Sequence, residues 1–209
     1  MTDKPIIMSA ESVRAILAGR KTQTRRVVKL TDFRQSDTPG YDWSFRDRRG
    51  CWNDVSTERL MQRYCPYQVG DRLWVRETWK KSLHGGEYDA DGAEYVHDCP
   101  GYKADGKYRC GKPVNDLEYG WRSPIHMPRW ASRLTLEVVE SWPERLHDIT
   151  EEGAIAEGCV PYIDPFENIQ IISVTQIYAQ LWEALNAKRG YPWDANPWVW
   201  VITFKVVTL

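Results

Sequence analysis

The spacing of apolar positions changes several times along the chain, and each change marks an element. Over residues 9–19, Val13, Ile16 and Leu17 recur at i, i+3 and i+4 behind Ser9, and Gly19 stands just beyond them. A hydroxyl able to accept from the first free N–H groups, then an apolar stripe, then a glycine predict a short amphipathic helix. Residues 21–28 alternate polar side chains and end on Val27 and Val28, which predicts a turn feeding a strand. Gly70 and Asp71 open another strand, with Leu73, Val75 and Glu77 on one face and Trp74, Arg76 and Thr78 on the other. The cleanest alternation lies at residues 133–140, where Leu134, Leu136 and Val138 point inward and Arg133, Thr135 and Glu137 outward. Thr150 then suits an N-cap, Glu151 and Glu152 suit the positive end of the helix it starts, and Gly158 stops that helix with Glu157 on its last turn. A longer helix carries Val174, Ile177, Tyr178, Leu181, Trp182 and Leu185, with Gly190 past its end. Residues 197–207 predict a long, largely buried strand.

Two stretches lack such order. Residues 31–68 are rich in Asp, Arg, Gly and aromatics with little periodicity. A structureless run of that length is uncommon in a compact domain, so an insertion with local structure is expected. Residues 80–120 are dominated by Gly, Asp, Lys and Tyr, with strand character only at 94–96 and 101–104, which predicts a second insertion or a long hairpin. No repeat, low-complexity tract or linker divides the chain, so one domain over residues 1–209 is expected.

Composition narrows the function classes. With 42% hydrophobic residues over 209 positions the chain has enough apolar surface for a real core. The 28 Lys and Arg against 29 Asp and Glu leave no global positive field, so affinity for nucleic acid has to come from a local patch. No apolar run approaches transmembrane length and the first residues lack a basic, then apolar, leader, so a cytoplasmic protein without a membrane partner is expected. Five cysteines, an odd number without framework spacing, point to reduced thiols. His97, Cys99 and Cys110 have metal-ligand side chains but neither a CxxC pair nor an obvious fourth ligand, so no metal is expected. His126 and His147 read as structural histidines. Of the 11 tryptophans several lie in the tight clusters WVRETW, HMPRWAS and NPWVWV, which suits core closure or stacking on a flat ligand.

Three residues have the chemistry for amide hydrolysis, which needs a nucleophile, a group to take its proton and a donor for the leaving nitrogen. Thr24 offers the hydroxyl, and Lys21, close to Arg25 and Arg26, offers the base. Glu157 is a carboxylate where the helix dipole disfavours one, and there it suits the role of proton donor. The bland alternative makes Lys21 and Glu157 solvated and Thr24 a strand-propensity choice. Arg26, Trp74, Arg76, Glu77, Arg129 and Trp130 are candidate substrate-contacting residues. Arg76 and Glu77 suit either an ion pair or a pocket wall, and Arg129, Trp130 and Arg133 suit either a phosphate- and base-binding patch or a solvated strand entry.

The run ILAGRKTQTRR at residues 16–26 resembles the G-x-K-x-x-[ET]-x-R signature of the ASCH domain family, which is related to the PUA β-barrels that bind RNA. The Gly70-Asp71 turn, the helix over residues 150–157 and the closing strand follow in the family's order. The segments KPIIMSAESVRAILAGRKTQTRRV, GDRLWVRETW, IHMPRWASR and DANPWVWV resemble phage and prophage ASCH proteins in particular. The resemblance implies an α+β fold, a small PUA-like β-barrel decorated by short helices and carrying the two insertions. It also extends to the small bacterial ASCH enzyme that removes the acetyl group from N4-acetylcytidine, whose lysine, threonine and glutamate fall on Lys21, Thr24 and Glu157. What this implies is a monomeric amidohydrolase without metal or cofactor, acting on a modified nucleobase or nucleoside. The elements bearing these residues, with the helix over residues 9–19, should then meet at one cavity. A non-catalytic reader of RNA or of single-stranded nucleic acid, and a phage-associated interaction protein, are the alternatives.

Overall fold

The computed structural model describes residues 3–81, 83–88, 94–109, 114, 120–163 and 170–208, which form a mixed α+β fold of short helices and small sheets. Strand β1 (Asp3–Ile7) leads into helix α1 (Ala10–Leu17), and the Ser9 side chain accepts from the Ser12 N–H at 3.2 Å. Val13, Ala15 and Ile16 are buried, whereas Leu17, expected on the same stripe, is 38% exposed. Four strands follow, β2 (Gln23–Val27), β3 (Thr31–Gln35), β4 (Trp43–Arg46) and β5 (Trp52–Val55), then α2 (Thr57–Tyr64). Next come β6 (Arg72–Arg76), β7 (Trp79–Lys80), β8 (Leu83–Tyr88), β9 (Glu94–Asp98), β10 (Gly101–Tyr102) and β11 (Lys107–Tyr108). The remainder is β12 (Thr135–Arg145), α3 (Glu151–Ala156), β13 (Tyr162–Ile163), β14 (Gln170–Ile172), α4 (Val174–Asn186) and β15 (Trp198–Thr208). None of the helices among the described residues is long and apolar enough to cross a membrane.

The chain divides into two compact units, Met1–Ala18, Arg72–Leu136 and Val206–Leu209 in the first and Gly19–Asp71 and Glu137–Lys205 in the second. In the first, β1 runs parallel to β6 with Asp3 opposite Arg72 and Ile7 opposite Arg76. Parallel pairs need cover on both faces. Leu73 and Val75 are buried on one face of β6 and Trp74 on the other, as the two-sided pattern predicts. A satellite cluster joins Trp79, Tyr102, Met127 and Ala131, and the Tyr102 hydroxyl donates to the Ala131 carbonyl at 2.9 Å. Strands β8 and β9 pair antiparallel, and β10 pairs with both β7 and β11. The part of the 80–120 stretch at residues 82, 89–93, 110–113 and 115–119 lies outside the described residues.

The second unit is built on the antiparallel pair of β2 and β15, with Val27 opposite Val199 and Gln23 opposite Thr203. Val199 and Val201 turn one face of β15 into a core with Leu146, Ile149, Ala154, Val174, Tyr178 and Trp182, so α3 and α4 cover that face. Trp198 and Trp200 lie on the other face with Phe33 and Trp43. Phe33 stacks on Trp43 at 5.0 Å, and Trp43 meets Trp198 edge-on at 5.0 Å. Residues 31–68 do hold local structure, the antiparallel sheet β3–β4–β5 and α2, with the Ser56 hydroxyl capping that helix. Among the described residues no strand pairing closes the small barrel that the resemblance implies. Strand β2 carries a ladder along one edge only, that of β15, and β3 turns away to pair with β4.

Both helices over the core are capped, α3 by the Thr150 that its sequence predicts. Thr150 accepts from the Gly153 N–H at 3.1 Å, and Ser173 with Gln176 forms a reciprocal capping box at the start of α4. Thr150→Ala is expected to cost about 1 kcal/mol, because one N–H at the start of α3 loses its acceptor. Urea unfolding of the variant beside the parent chain measures this.

Candidate active site

The loop ahead of β2 is held from two sides. The Thr22 N–H donates to the Ala156 carbonyl at 2.8 Å and the Thr22 carbonyl accepts from the Phe204 N–H at 2.8 Å. These bonds tie the loop to the last turn of α3 and to β15, and they direct Lys21 into the interior, where it is 4% exposed. Its ammonium donates to the Glu157 carbonyl at 2.8 Å and to Glu157 Oε2 at 2.5 Å. Glu157 ends α3, and Gly158 follows in the left-handed conformation at φ 94° that a glycine adopts without steric cost. An acidic residue at that end of a helix has its reason here, since the Lys21 ammonium offsets both the exposed carbonyl and the carboxylate.

Arg25 completes the network from β2. Its Nη1 donates to Glu157 Oε1 at 3.4 Å and to Gln23 Oε1 at 3.1 Å, while Nε and Nη2 reach Glu144 Oε1 at 3.2 and 3.0 Å. Trp142 Nε1 donates to the other Glu144 oxygen at 3.2 Å. The Tyr178 hydroxyl donates to Glu157 Oε1 at 3.5 Å, and its ring lies 5.9 Å from the Arg25 guanidinium. Helix α3 rests on Arg25 through Gly153, where a Cβ would stand 3.0 Å from Nη2 and 3.2 Å from Ile149 Cγ1, so the absence of a side chain lets the helix approach the guanidinium this closely. Two cations, Lys21 and Arg25, thus face two carboxylates, Glu157 and Glu144, with only Glu144 appreciably exposed.

Neighbouring groups respond to this burial. Tyr178 is held well above the usual phenol range, first by its own burial and then by the Glu157 charge, so it stays a donor. Burial also pushes the Cys159 thiol up, with Glu157 adding to the effect and Lys21 opposing it. Cys51 is exposed, whereas Cys65, Cys99 and Cys159 are buried. Native protein treated with a thiol reagent at neutral pH is therefore expected to be modified at Cys51 well before those three, as peptide mass spectrometry would show.

Of the three residues expected to act together, the structure joins Lys21 and Glu157 and does not join Thr24 to them. Thr24 is buried at 4% and pairs with Ile202 through its backbone. Strand alternation puts it on the face opposite Gln23 and Arg25, and its hydroxyl has no hydrogen bond among the described residues. Arg26, half-buried opposite Trp200, alternates with Arg25 onto the Thr24 face. Gln23, Glu144 and Tyr178 belong to the network but were not singled out from sequence. Tyr178 had a signal, as a hydroxyl-bearing residue inside an apolar helix stripe; Glu144 had none.

The remaining candidates lie in the first unit. Glu77 is 1% exposed and receives Arg133 on both oxygens, at 2.9 and 3.0 Å, and Arg133 also donates to Asp105 at 2.6 Å. Burial pushes the Glu77 carboxyl up against the pull of Arg133, and burial raises the Tyr102 phenol, whose ring lies 3.9 Å from that guanidinium, to about 12. Glu77 is thus an ion-pair residue, with Arg133 as partner in place of the adjacent Arg76, and Arg133 is turned inward instead of joining a surface patch. Arg76 donates to the Met127 carbonyl at 3.1 Å and covers Trp74 at 4.7 Å. Arg129 lies 5.9 Å from the same ring and 3.5 Å from Asp3, and Trp130 is 47% exposed. His147 stacks on Trp193 at 4.7 Å, a packing role, and the side chain of His97 and all of Cys110 lie outside the described residues.

No family model matches the chain, and no curated protein matches it. Among solved structures it is similar to the high-resolution crystal structure of an ASCH domain from Lactobacillus crispatus JV V101, at 12% identity and a TM-score of 0.39 over 100% of this chain and 81% of that one. A likeness at that level carries no argument, and the site stands on its own residues.

Proposed function

We propose that the chain is an ASCH-type protein whose Lys21–Glu157 pair moves the proton in hydrolysis of an amide on a small neutral substrate, an N-acylated nucleobase or nucleoside of the N4-acetylcytidine kind. The observation that carries this reading is the direct contact of the two charged groups at 2.5 Å with side chains 3% and 5% exposed. A buried ion pair adds little stability over a well-packed apolar pair, so its presence points to chemistry. Amide hydrolysis takes a proton from the attacking group and delivers one to the departing nitrogen. An ammonium and a carboxylate in contact pass that proton with little movement, and Arg25 at the second carboxylate oxygen keeps Glu157 oriented. In the scheme drawn from sequence the Thr24 hydroxyl attacks the acyl carbon, the amine departs with the transferred proton, and water then cleaves the acyl-threonine ester to free the acid and restore the hydroxyl. Within the buried network Lys21 and Arg25 are matched by Glu157 and Glu144, which suits an uncharged group there, a base or nucleoside. Incubation of purified protein with N4-acetylcytidine should release cytidine and acetate, detected by mass spectrometry. No product from a panel of N-acylated nucleosides would remove the hydrolase reading.

One observation favours a second reading. With Thr24 on the opposite face of β2 from Arg25, the same network suits a reader that holds a modified base without cleaving it. A reader binds the acylated nucleoside and returns it unchanged.

A further inference from the structure

The first unit carries an alternating series of guanidinium groups and indole rings that the Lys21 site does not use. Arg76 covers Trp74 at 4.7 Å, and Arg129 approaches the same ring at 5.9 Å. The next residue, Trp130, meets Trp79 edge-on at 6.0 Å, and Arg122 lies 5.5 Å from Trp79. Trp74 and Trp79 are buried and act as a floor, whereas Arg122, Arg129 and Trp130 are exposed. Short 3-10 turns at Pro124–His126 and Arg129–Ala131 present these side chains, and two hydrogen bonds fix the backbone between them. One runs from Arg76 to the Met127 carbonyl at 3.1 Å, the other from Arg109 to the Trp130 carbonyl at 2.9 Å. The guanidinium groups of Arg76, Arg122 and Arg129 thus lie near the two buried indoles, and the exposed Trp130 packs edge-on against one of these, Trp79. Among the described residues the carboxylate paired with this group is Asp3, 3.5 Å from Arg129, with both side chains about half exposed. A solvated pair of that kind contributes little and yields readily to a competing anion.

We infer that this ladder is a docking surface for single-stranded nucleic acid, with Trp130 stacking on an unpaired base and Arg76, Arg122 and Arg129 holding phosphates. Charge complementarity selects a polyanion, and the exposed indole selects one with flat rings between its charges, which an acidic peptide lacks. A duplex hides its ring faces, so it meets only the arginines. The chain as a whole has a net charge of −1, so the attraction is local and steeply dependent on salt. The inference does not rest on the hydrolase proposal, because polymer binding is read without turnover.

The experiment is fluorescence anisotropy of labelled oligouridylate and oligothymidylate with the intact chain over a range of salt. Binding should weaken with salt at a log–log slope of about −2 for three phosphate contacts. The double variant Arg122→Ala/Arg129→Ala should flatten that slope by about 1.4. Trp130→Ala should weaken binding roughly 5- to 100-fold at every salt concentration, through lost stacking. Circular dichroism checks that each variant is folded. A preference for either sugar, or none, supports the surface provided that these substitutions act as stated. Three results would overturn it: no binding at low salt, binding unaffected by the three substitutions in folded protein, or a duplex bound more tightly than a single strand.

Discussion

Lys21→Met is expected to lower stability by about 3 kcal/mol, far more than the loss of an ordinary lysine. The substitution keeps most of the length of the side chain and its apolar character but leaves Glu157 as a carboxylate 5% exposed without its nearest cation. Arg25 still reaches Glu157 Oε1 at 3.4 Å, but it is shared with Glu144 and Gln23, so it compensates only in part. For a chain of this size the loss corresponds to a fall in Tm of roughly 6–12 °C. The double variant Lys21→Met/Glu157→Met removes both charges, leaves Arg25 with Glu144, and should recover most of the loss. Thermal unfolding of the parent, both singles and the double gives the coupling directly. A Lys21→Met protein as stable as the parent would show that the pair is solvated in solution.

Glu157→Gln is expected to reduce turnover of N4-acetylcytidine by about 100-fold or more while leaving affinity for the nucleoside nearly intact. The amide fills the same space and still accepts a hydrogen bond from Lys21, but it holds no proton to give, and acid–base assistance of this kind contributes about 10²–10⁴ in rate. Lys21→Ala should likewise remove most of kcat, and Lys21→Ala/Glu157→Gln should be hardly worse than either single variant, since the two groups in contact act as one unit and fail together. Thr24 is the position at which strand geometry puts the scheme at risk. Thr24→Ser should retain turnover and Thr24→Val should lose it if the hydroxyl attacks; normal hydrolysis by Thr24→Val would assign the attack to water. Steady-state kinetics with product identified by mass spectrometry, and titration of each variant with the nucleoside, separate chemistry from binding.

The parts of the fold legible in sequence are those decided within a few residues. Ser9 and Thr150 each accept from an N–H three residues on, and Gly158 and Gly190 each take positive φ where a helix stops. Alternation also gave the buried faces of Leu73 and Val75 and of Leu134, Leu136 and Val138. Partner choice across long separations left no such trace. Arg133 lies 56 positions from Glu77 and was placed outward by alternation, although Glu77 turns it in. Lys21 and Glu157, 136 positions apart, were grouped by their chemical types and by the family resemblance, not by any local pattern. The same resemblance grouped Thr24 with them, whereas the period of two in β2 puts Gln23 and Arg25 on the side of Glu157. The aromatic cluster of Phe33, Trp43, Trp198 and Trp200 shows why composition was a fair guide to core closure but not to which rings would meet.

The single-edged pairing of β2 with β15 governs when the buried network can form during synthesis. Gln23 and its cross-strand contact Thr203 are 180 positions apart, and Thr22 waits for Phe204 in the same way. At about 5–20 residues per second the ribosome needs roughly 9–36 seconds to span that separation. Throughout that interval the loop carrying Lys21 lacks the bond from the Phe204 N–H that helps to hold it. Until residues 198–204 have emerged, β2 stands as an unpaired strand edge, the kind that pairs with whatever extended chain is near.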